Sequence, residues 1–216
     1  MAFSILFAVG VTMPTLEPHF LSFGIKEEYV GYWYIINTGA YLCGSIFMTY
    51  SSNLPKKETM FFGLCLLTTG TFLLGPCPFV FSKSLITVCI GHHLMGWSAA
   101  ILFSIFYIVP LIPYLIELSH LEYNIPKDDR LNDSISSIVN ISISCGEICG
   151  PILGSLIPQL FEKDLKYRMT YTVTSLIFVS YALIYLVCDR IFTRNKRKIL
   201  VDQVIEEEMI PYTISK

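Results

Sequence analysis

Glu147 is the only carboxylate in a long apolar stretch, residues 140–154, which reads N-I-S-I-S-C-G-E-I-C-G-P-I-L-G. A charged group at bilayer depth is costly and normally faces a bundle interior or a water-filled cavity. Such a carboxylate takes up a proton when it is desolvated and releases the proton when water returns. Asn140 lies almost two turns away on roughly the same helical face and would offer a second polar contact. The competing interpretation is a protonated Glu147 that is bonded to a neighbouring helix.

Small residues repeat through the same stretch. Gly146, Gly150 and Gly154 are spaced four apart, and Pro151 follows the second of them. A Gly-xxx-Gly ladder allows another helix to approach closely in a membrane. The stretch therefore predicts a membrane helix that packs tightly and also lines a polar path.

The first apolar stretch carries a second polar pair near its end. Glu17 and His19 lie around Pro14 and Pro18. Prolines favour a broken membrane helix whose freed carbonyls line a cavity, which would place both side chains on the path. The competing interpretation puts them at the headgroup level.

Three further residues have two interpretations each. Trp97 is either a cavity-facing aromatic residue or an interfacial packing residue. His92 and His93 are either proton relays, since histidine titrates near neutral pH, or packed histidines, and as neighbours they point to different helical faces. Glu117, farther along the chain, is expected to pair with a loop Lys or Arg.

The composition indicates the class of protein in which these residues lie. The chain has 216 residues, of which 53% are hydrophobic and only 15% are charged. A soluble domain usually carries about 25% charged residues, so the deficit predicts an integral membrane protein. The net charge of −2 gives no nucleic-acid signature. Partners are instead expected to be the lipid bilayer, a small solute and protons.

Six apolar stretches are long enough to cross a bilayer, which takes about 20 residues of helix. They predict an all-α, polytopic fold with spans at about 1–23, 29–50, 59–80, 85–118, 135–160 and 169–188. Every Lys and Arg lies outside these spans. The fourth stretch, about 50 Å long at roughly 1.5 Å per residue, should project beyond the membrane and bend near Pro110 and Pro113.

The distribution of basic residues predicts the orientation. Six crossings place both termini on one side, and the basic run in 190–198 follows the last span. Because cytoplasmic loops carry the excess of Lys and Arg, both termini are expected in the cytosol, with residues 189–216 as a cytosolic tail. The sequence does not distinguish the plasma membrane from an endomembrane vesicle.

Three stretches resemble the C-terminal half of a major facilitator superfamily transporter, nearest to the branch of drug:proton antiporters and vesicular amine or polyamine transporters. Residues 12–25, T-M-P-T-L-E-P-H-F-L-S-F-G-I, are similar to the end of the seventh helix of that branch. Residues 110–118, P-L-I-P-Y-L-I-E-L, are similar to the cytosolic end of the tenth, and 134–157 resemble the eleventh with its G-x-x-x-G-P-x-x-G core. The resemblance covers about residues 1–190.

The resemblance implies a secondary active transporter, or half of one, that moves a small organic solute by alternating access and is coupled to protons through Glu147. Such transporters have two halves, so this chain is expected to be a partial product or half-size protein that needs an N-terminal half or a homodimer partner. Vesicular amine members carry an acid where this chain has Asn140, which argues against an amine substrate. The alternative is a six-span protein that does not transport, either a pseudotransporter or an assembly partner.

Other classes lack their motifs. The chain has no G-x-S-x-G and no H-x-x-x-H, and none of its predicted spans contains Asp, so no enzyme activity is expected. The seven cysteines are odd in number and include no Cys-x-x-Cys, which predicts neither a disulfide framework nor a zinc site. No cofactor is expected.

Overall fold

The chain is almost entirely helical wherever its structure is described. The computed structural model describes residues 2–51, 54–79, 82–107, 111–123, 125–162 and 165–213, and this part contains no strand. The helices are α1 (Ala2–Leu21), α2 (Glu27–Tyr50), α3 (Lys56–Leu74), α4 (Leu85–Tyr107), α5 (Leu111–Tyr123), α6 (Asp129–Leu156, extended by a 3-10 turn, Ile157–Leu160) and α7 (Lys166–Thr213). The expectation of an all-α fold is confirmed.

Three of the described helices are long and apolar enough to cross a membrane: Leu85–Ser104, Asp129–Leu160 and Lys166–Cys188. The apolar part of α3, Glu58–Leu74, is shorter. α1 continues through Pro14 and Pro18 as one helix, so the predicted break at these prolines is wrong. Glu17 and His19 make its second half more polar. The structure thus supports membrane insertion by length and composition.

Several helix boundaries differ from the predicted spans. α3 ends at Leu74, before Gly75 and Pro76, because proline lacks the N–H that the helix needs. The long fourth stretch is two helices, α4 and α5; Pro110 lies outside the described residues. The last helix continues through the predicted tail to Thr213. The chain divides within this helix into two compact units, Met1–Phe178 and Val179–Lys216.

The connection from α5 to α6 is braced by an ion pair. Lys127 Nζ donates to Glu117 Oε2 at 2.6 Å, on an exposed surface outside the three candidate spans. This hydrogen bond and the Lys127 charge hold the pKa of Glu117 below its usual range. The predicted pairing of Glu117 with a basic loop residue is confirmed. Asp128 then caps α6 by accepting from the Leu131 backbone N–H at 2.8 Å.

α1 and α6 run parallel and approach closely along the glycine ladder. A Cβ on Gly146 would lie 2.7 Å from the Phe3 carbonyl oxygen. A Cβ on Gly150 would lie 2.8 Å from Gly10 Cα, and one on Gly154 would lie 2.8 Å from the Val11 carbonyl oxygen. Only glycine fits at these contacts, because the opposing atoms belong to backbone that does not yield.

α2 and α4 form a second parallel pair of the same kind. A Cβ on Gly96 would clash with the Asn37 carbonyl oxygen, and one on Gly44 would lie 2.6 Å from the Ala100 Cβ. The Asn37 side chain also donates to the His92 carbonyl oxygen at 2.9 Å. Each parallel pair is thus built on small residues from both helices.

Two antiparallel pairs complete the compact unit. α3 packs against α4, where a Cβ on Gly91 would lie 2.6 Å from the Gly70 carbonyl oxygen and the Ser98 hydroxyl donates to the Gly63 carbonyl oxygen. α7 packs against α1, where the fully buried Tyr171 hydroxyl lies 2.9 Å from that of Thr15. Consequently α1 lies against α6 and α7, while α4 lies against α2 and α3.

We call the contact of Gly146, Gly150 and Gly154 with α1 the glycine seam. It predicts a matched pair of substitutions. Gly150→Ala would force a methyl group against the α1 backbone, and such overpacking costs about 1–3 kcal/mol. We expect its unfolding free energy to fall by this amount in thermal denaturation of the detergent-solubilised protein. The control is Gly39→Ala in α2, where a Cβ meets nothing within 4 Å. A Gly150→Ala protein as stable as Gly39→Ala would contradict the seam.

Candidate functional site: the polar strip of α6

The surface of α6 divides into three faces at about 100° per residue. One face carries the buried glycines that contact α1. A second, the polar strip, consists of exposed residues: Ser137, Asn140, Ser144, Glu147, Pro151 and Ser155. The third, the apolar strip, is also exposed and consists of Ile138, Ile141, Cys145, Ile148, Ile152 and Leu156.

The two exposed strips favour different surroundings. Ile138, Ile141 and Ile148 expose 64%, 62% and 61% of their surface, which is favourable in lipid and unfavourable in water. A carboxylate at the centre of a membrane helix costs about 2.5–3.5 kcal/mol against lipid. The polar strip is therefore most stable against water or a polar partner, and the apolar strip against acyl chains.

Glu17 lies on the same side of the helix pair as the polar strip. Because α1 and α6 are parallel, their residues turn in the same sense. Around the circumference of α1, Glu17 lies between two contacts. On one side Gly10 meets α6, and on the other the Phe20 ring stacks on Trp33 of α2, with 5.7 Å between the ring centroids. On α6, the polar strip borders this contact at Pro151, whose Cδ would lie 2.7 Å from a Cβ on Gly10.

Tyr34 of α2 is 38% exposed, and the Glu17 carboxylate lies within electrostatic reach of its phenol. We call the polar strip, Glu17 and Tyr34 together the front face. Among the described residues, neither Glu17 nor Glu147 has a hydrogen-bonded or ion-paired partner, so both carboxylates remain available to a ligand or a proton.

His19 is separated from Glu17 and has a different role. It is 1% exposed, and its Nε2 lies 2.8 Å from the Leu74 carbonyl oxygen at the end of α3. A carbonyl only accepts, so Nε2 carries the proton and donates. Thr172 and Arg168 of α7 donate to the next two carbonyls, those of Gly75 and Pro76, at 2.8 and 3.2 Å.

These three donors satisfy carbonyls that the end of α3 leaves without helical partners. They join α1, α3 and α7 at one end of the compact unit. His19 is thus placed among structural contacts, away from the exposed front face.

Trp97 belongs to the other helix pair. Its indole packs on Gly44 and lies 6.0 Å from the Phe47 ring, and its Nε1–H donates to His93 Nε2 at 3.2 Å. The structure brings Glu147, Asn140 and Glu17 to one side of the α1–α6 pair, and it places Trp97 on the α2–α4 pair.

The polar strip ends in an open cleft of about 440 Å³. The cleft is lined by Pro14 of α1, Ser155 and Gln159 at the end of α6, and Lys166 and Tyr167 at the start of α7. In the described part of the chain, no three His, Cys, Asp or Glu side chains converge as metal ligands. Cys145 and Cys149 are both free.

Sequence reasoning did not identify Tyr34 as a member of this surface. Tyr34 lies in α2, which is rich in tyrosine over its whole length, so it does not stand out by residue type. Only its proximity to Glu17 distinguishes it.

No protein-family model, curated protein or solved structure matches this chain.

The cap on α3 predicts a large stability effect at His19 and a small one at Glu17. His19→Phe would leave the buried Leu74 carbonyl without a donor, which costs about 1–3 kcal/mol. Glu17→Gln changes an exposed side chain and should stay within about 0.5 kcal/mol. Thermal denaturation of both variants measures the difference. Equal stabilities would contradict the capping role of His19.

Proposed function

We propose that this chain is a six-span half of a secondary transporter of the major facilitator type, which moves a small organic solute by alternating access with proton coupling. The observation that carries the proposal is the division of α6. A helix with one face on α1, one apolar strip and one strip bearing Glu147 and Asn140 fits a position between a helix bundle, lipid and an aqueous path.

The reciprocal packing of the helices supports the transporter architecture. Transporters of this superfamily contain inverted three-helix repeats within each six-helix half. Here α1, α2 and α3 would be the first repeat, and α4, α6 and α7 the second. α1 packs parallel to α6 and antiparallel to α7. In the same way, α4 packs parallel to α2 and antiparallel to α3.

The contacts also give the register of this internal repeat. Gly10 meets Gly150 and Pro151, just as Gly96 meets Ala40 and Tyr41. Gly154 meets Val11 and Pro14, just as Gly44 meets Trp97 and Ala100. Counting three residues back from Gly150 and from Ala40 makes Glu147 and Asn37 equivalent positions. In this alignment α5 and its flanking loops are an insertion in the second repeat.

The proposed topology has six crossings and cytosolic termini. Charge placement supports it, because all Lys and Arg lie outside the predicted spans and the densest basic run follows the last one. The membrane would be crossed by α1, α2 and α3 together with α4, α6 and α7, which pack against them. The front face would then meet a partner half, which is either an N-terminal half or a second copy.

In this mechanism Glu147 exchanges a proton as the path opens and closes. Desolvation favours its neutral form and hydration favours its charged form. Asn140, on the same strip, would donate or accept a hydrogen bond to the solute. The glycine seam would let α6 rock against α1, since backbone meets backbone along much of their contact.

Transport in proteoliposomes tests the proposal. We expect uptake from a panel of labelled sugars, amino acids and amines to rise when a pH gradient is imposed. Glu147→Gln should abolish the dependence on the gradient, because glutamine cannot release a proton. The matched control is Glu27→Gln, an exposed residue in the first turn of α2. Uptake that ignores the gradient, or a Glu147→Gln protein with unchanged gradient dependence, would contradict the coupling role.

A further inference from the structure

His92 is a buried histidine whose ring has no hydrogen-bond partner. It lies in α4 with 3% of its surface exposed. In the described part of the chain, neither Nδ1 nor Nε2 is hydrogen-bonded. The ring is held by aromatic contacts instead, edge-on to Phe20 at 6.2 Å and to Tyr34 at 6.0 Å between centroids.

This arrangement is costly. A neutral imidazole has one donor and one acceptor nitrogen, and each buried unsatisfied group costs about 1–3 kcal/mol. Asn37 does not relieve the cost, because its amide donates to the His92 backbone carbonyl. The neighbouring His93 differs: it is exposed and accepts from Trp97.

The groups around His92 leave one route to water. On α1, Glu17 is exposed on the front face, while His19 is bound to the Leu74 carbonyl. On α2, the half-exposed Tyr34 covers the ring. On α3, the sequence has no acid or base other than Cys65 between residues 59 and 74. Displacing Tyr34 would therefore open His92 to the front face beside Glu17.

We propose that His92 is an occluded proton-binding site of the front face, covered by the Tyr34 and Phe20 rings. When these rings separate, water reaches the unprotonated ring nitrogen, which accepts a proton and becomes imidazolium. When they close, the proton returns to water, since a charged ring is not stable among aromatic neighbours. The role of this proton in coupling rests on the proposed function; the existence of the site does not.

Trp33 reports on this site. It stacks on Phe20, which contacts His92, and it is one of only two tryptophans in the chain. In a Trp97→Phe background, we expect its fluorescence in detergent, without solute, to change as the pH is lowered from about 8 to about 4 and His92 takes up a proton. His92→Gln should abolish the titration, and His93→Gln should leave it unchanged.

Other results of this titration overturn the inference. The site is absent if the signal does not titrate, if it still titrates in His92→Gln, or if it is lost equally in His93→Gln. Because no solute or gradient is present, these results are independent of transport. If the titration is observed but the protein shows no gradient-driven uptake, the proposed function is contradicted and the proton-binding site is not.

A second measurement uses the wild-type histidine and does not depend on how His92→Gln folds. Modification of each histidine by diethylpyrocarbonate is followed by mass spectrometry. We expect His92 to react several-fold more slowly than His93, and Tyr34→Ala to raise the His92 rate several-fold. A His92 that reacts as fast as His93, or whose rate is the same in Tyr34→Ala, would overturn the covering role of Tyr34.

Discussion

The close approach of α1 and α6 constrains the rest of this structure. Gly10, Gly150 and Gly154 bring the two backbones together at distances that exclude a Cβ. In lipid, where no hydrophobic effect drives helices together, such packing is a main source of association. Once one face of α6 is fixed on α1, the orientations of its two exposed strips follow, and Glu147 must lie on the same side of the helix pair as Glu17.

A different kind of constraint holds the end of the unit where α3 stops. The carbonyls of Leu74, Gly75 and Pro76 receive donors from His19, Thr172 and Arg168. These bonds cross between helices that are far apart in sequence, so they fix α1, α3 and α7 relative to each other there. Among the described residues, no such bonds cross the glycine seam. The structure therefore combines a hydrogen-bonded end with a contact of backbone against backbone along α6.

The sequence predicted the helices well and their packing poorly. Apolar length and the placement of charges predicted the long helices of the described residues, because both properties are local; three of these helices are long and apolar enough to cross a membrane. The pairing of α1 with α6 is not local, and only the glycine spacing indicated that some helix would lie there. Helix ends were misplaced at α3, where Gly75 and Pro76 stop the helix inside an apolar run, and after Cys188, where the polar tail continues as helix.

The candidate site likewise has features that the sequence predicts and features that only the packing reveals. The positions of Glu147 and Asn140 on one strip follow from helical periodicity. The separation of His19 from Glu17 follows from the same periodicity, since residues two apart do not share a helical face, but the backbone carbonyl that His19 binds leaves no trace in the side-chain pattern. The sequence places His92 and His93 on different helical faces, and only the contacts of His92 with the Phe20 and Tyr34 rings show which of the two is buried.

The central claim is that α6 turns one exposed strip to water and the other to lipid. Adjacent residues test it most directly: Ser144 lies on the polar strip and Cys145 on the apolar strip. In membranes, with the other native cysteines replaced, a charged membrane-impermeant thiol reagent should label Ser144→Cys readily when Cys145 is also replaced, and should leave Cys145 unlabelled when it is the only cysteine. Equal labelling of the two positions, or labelling of Cys145 alone, would contradict the account.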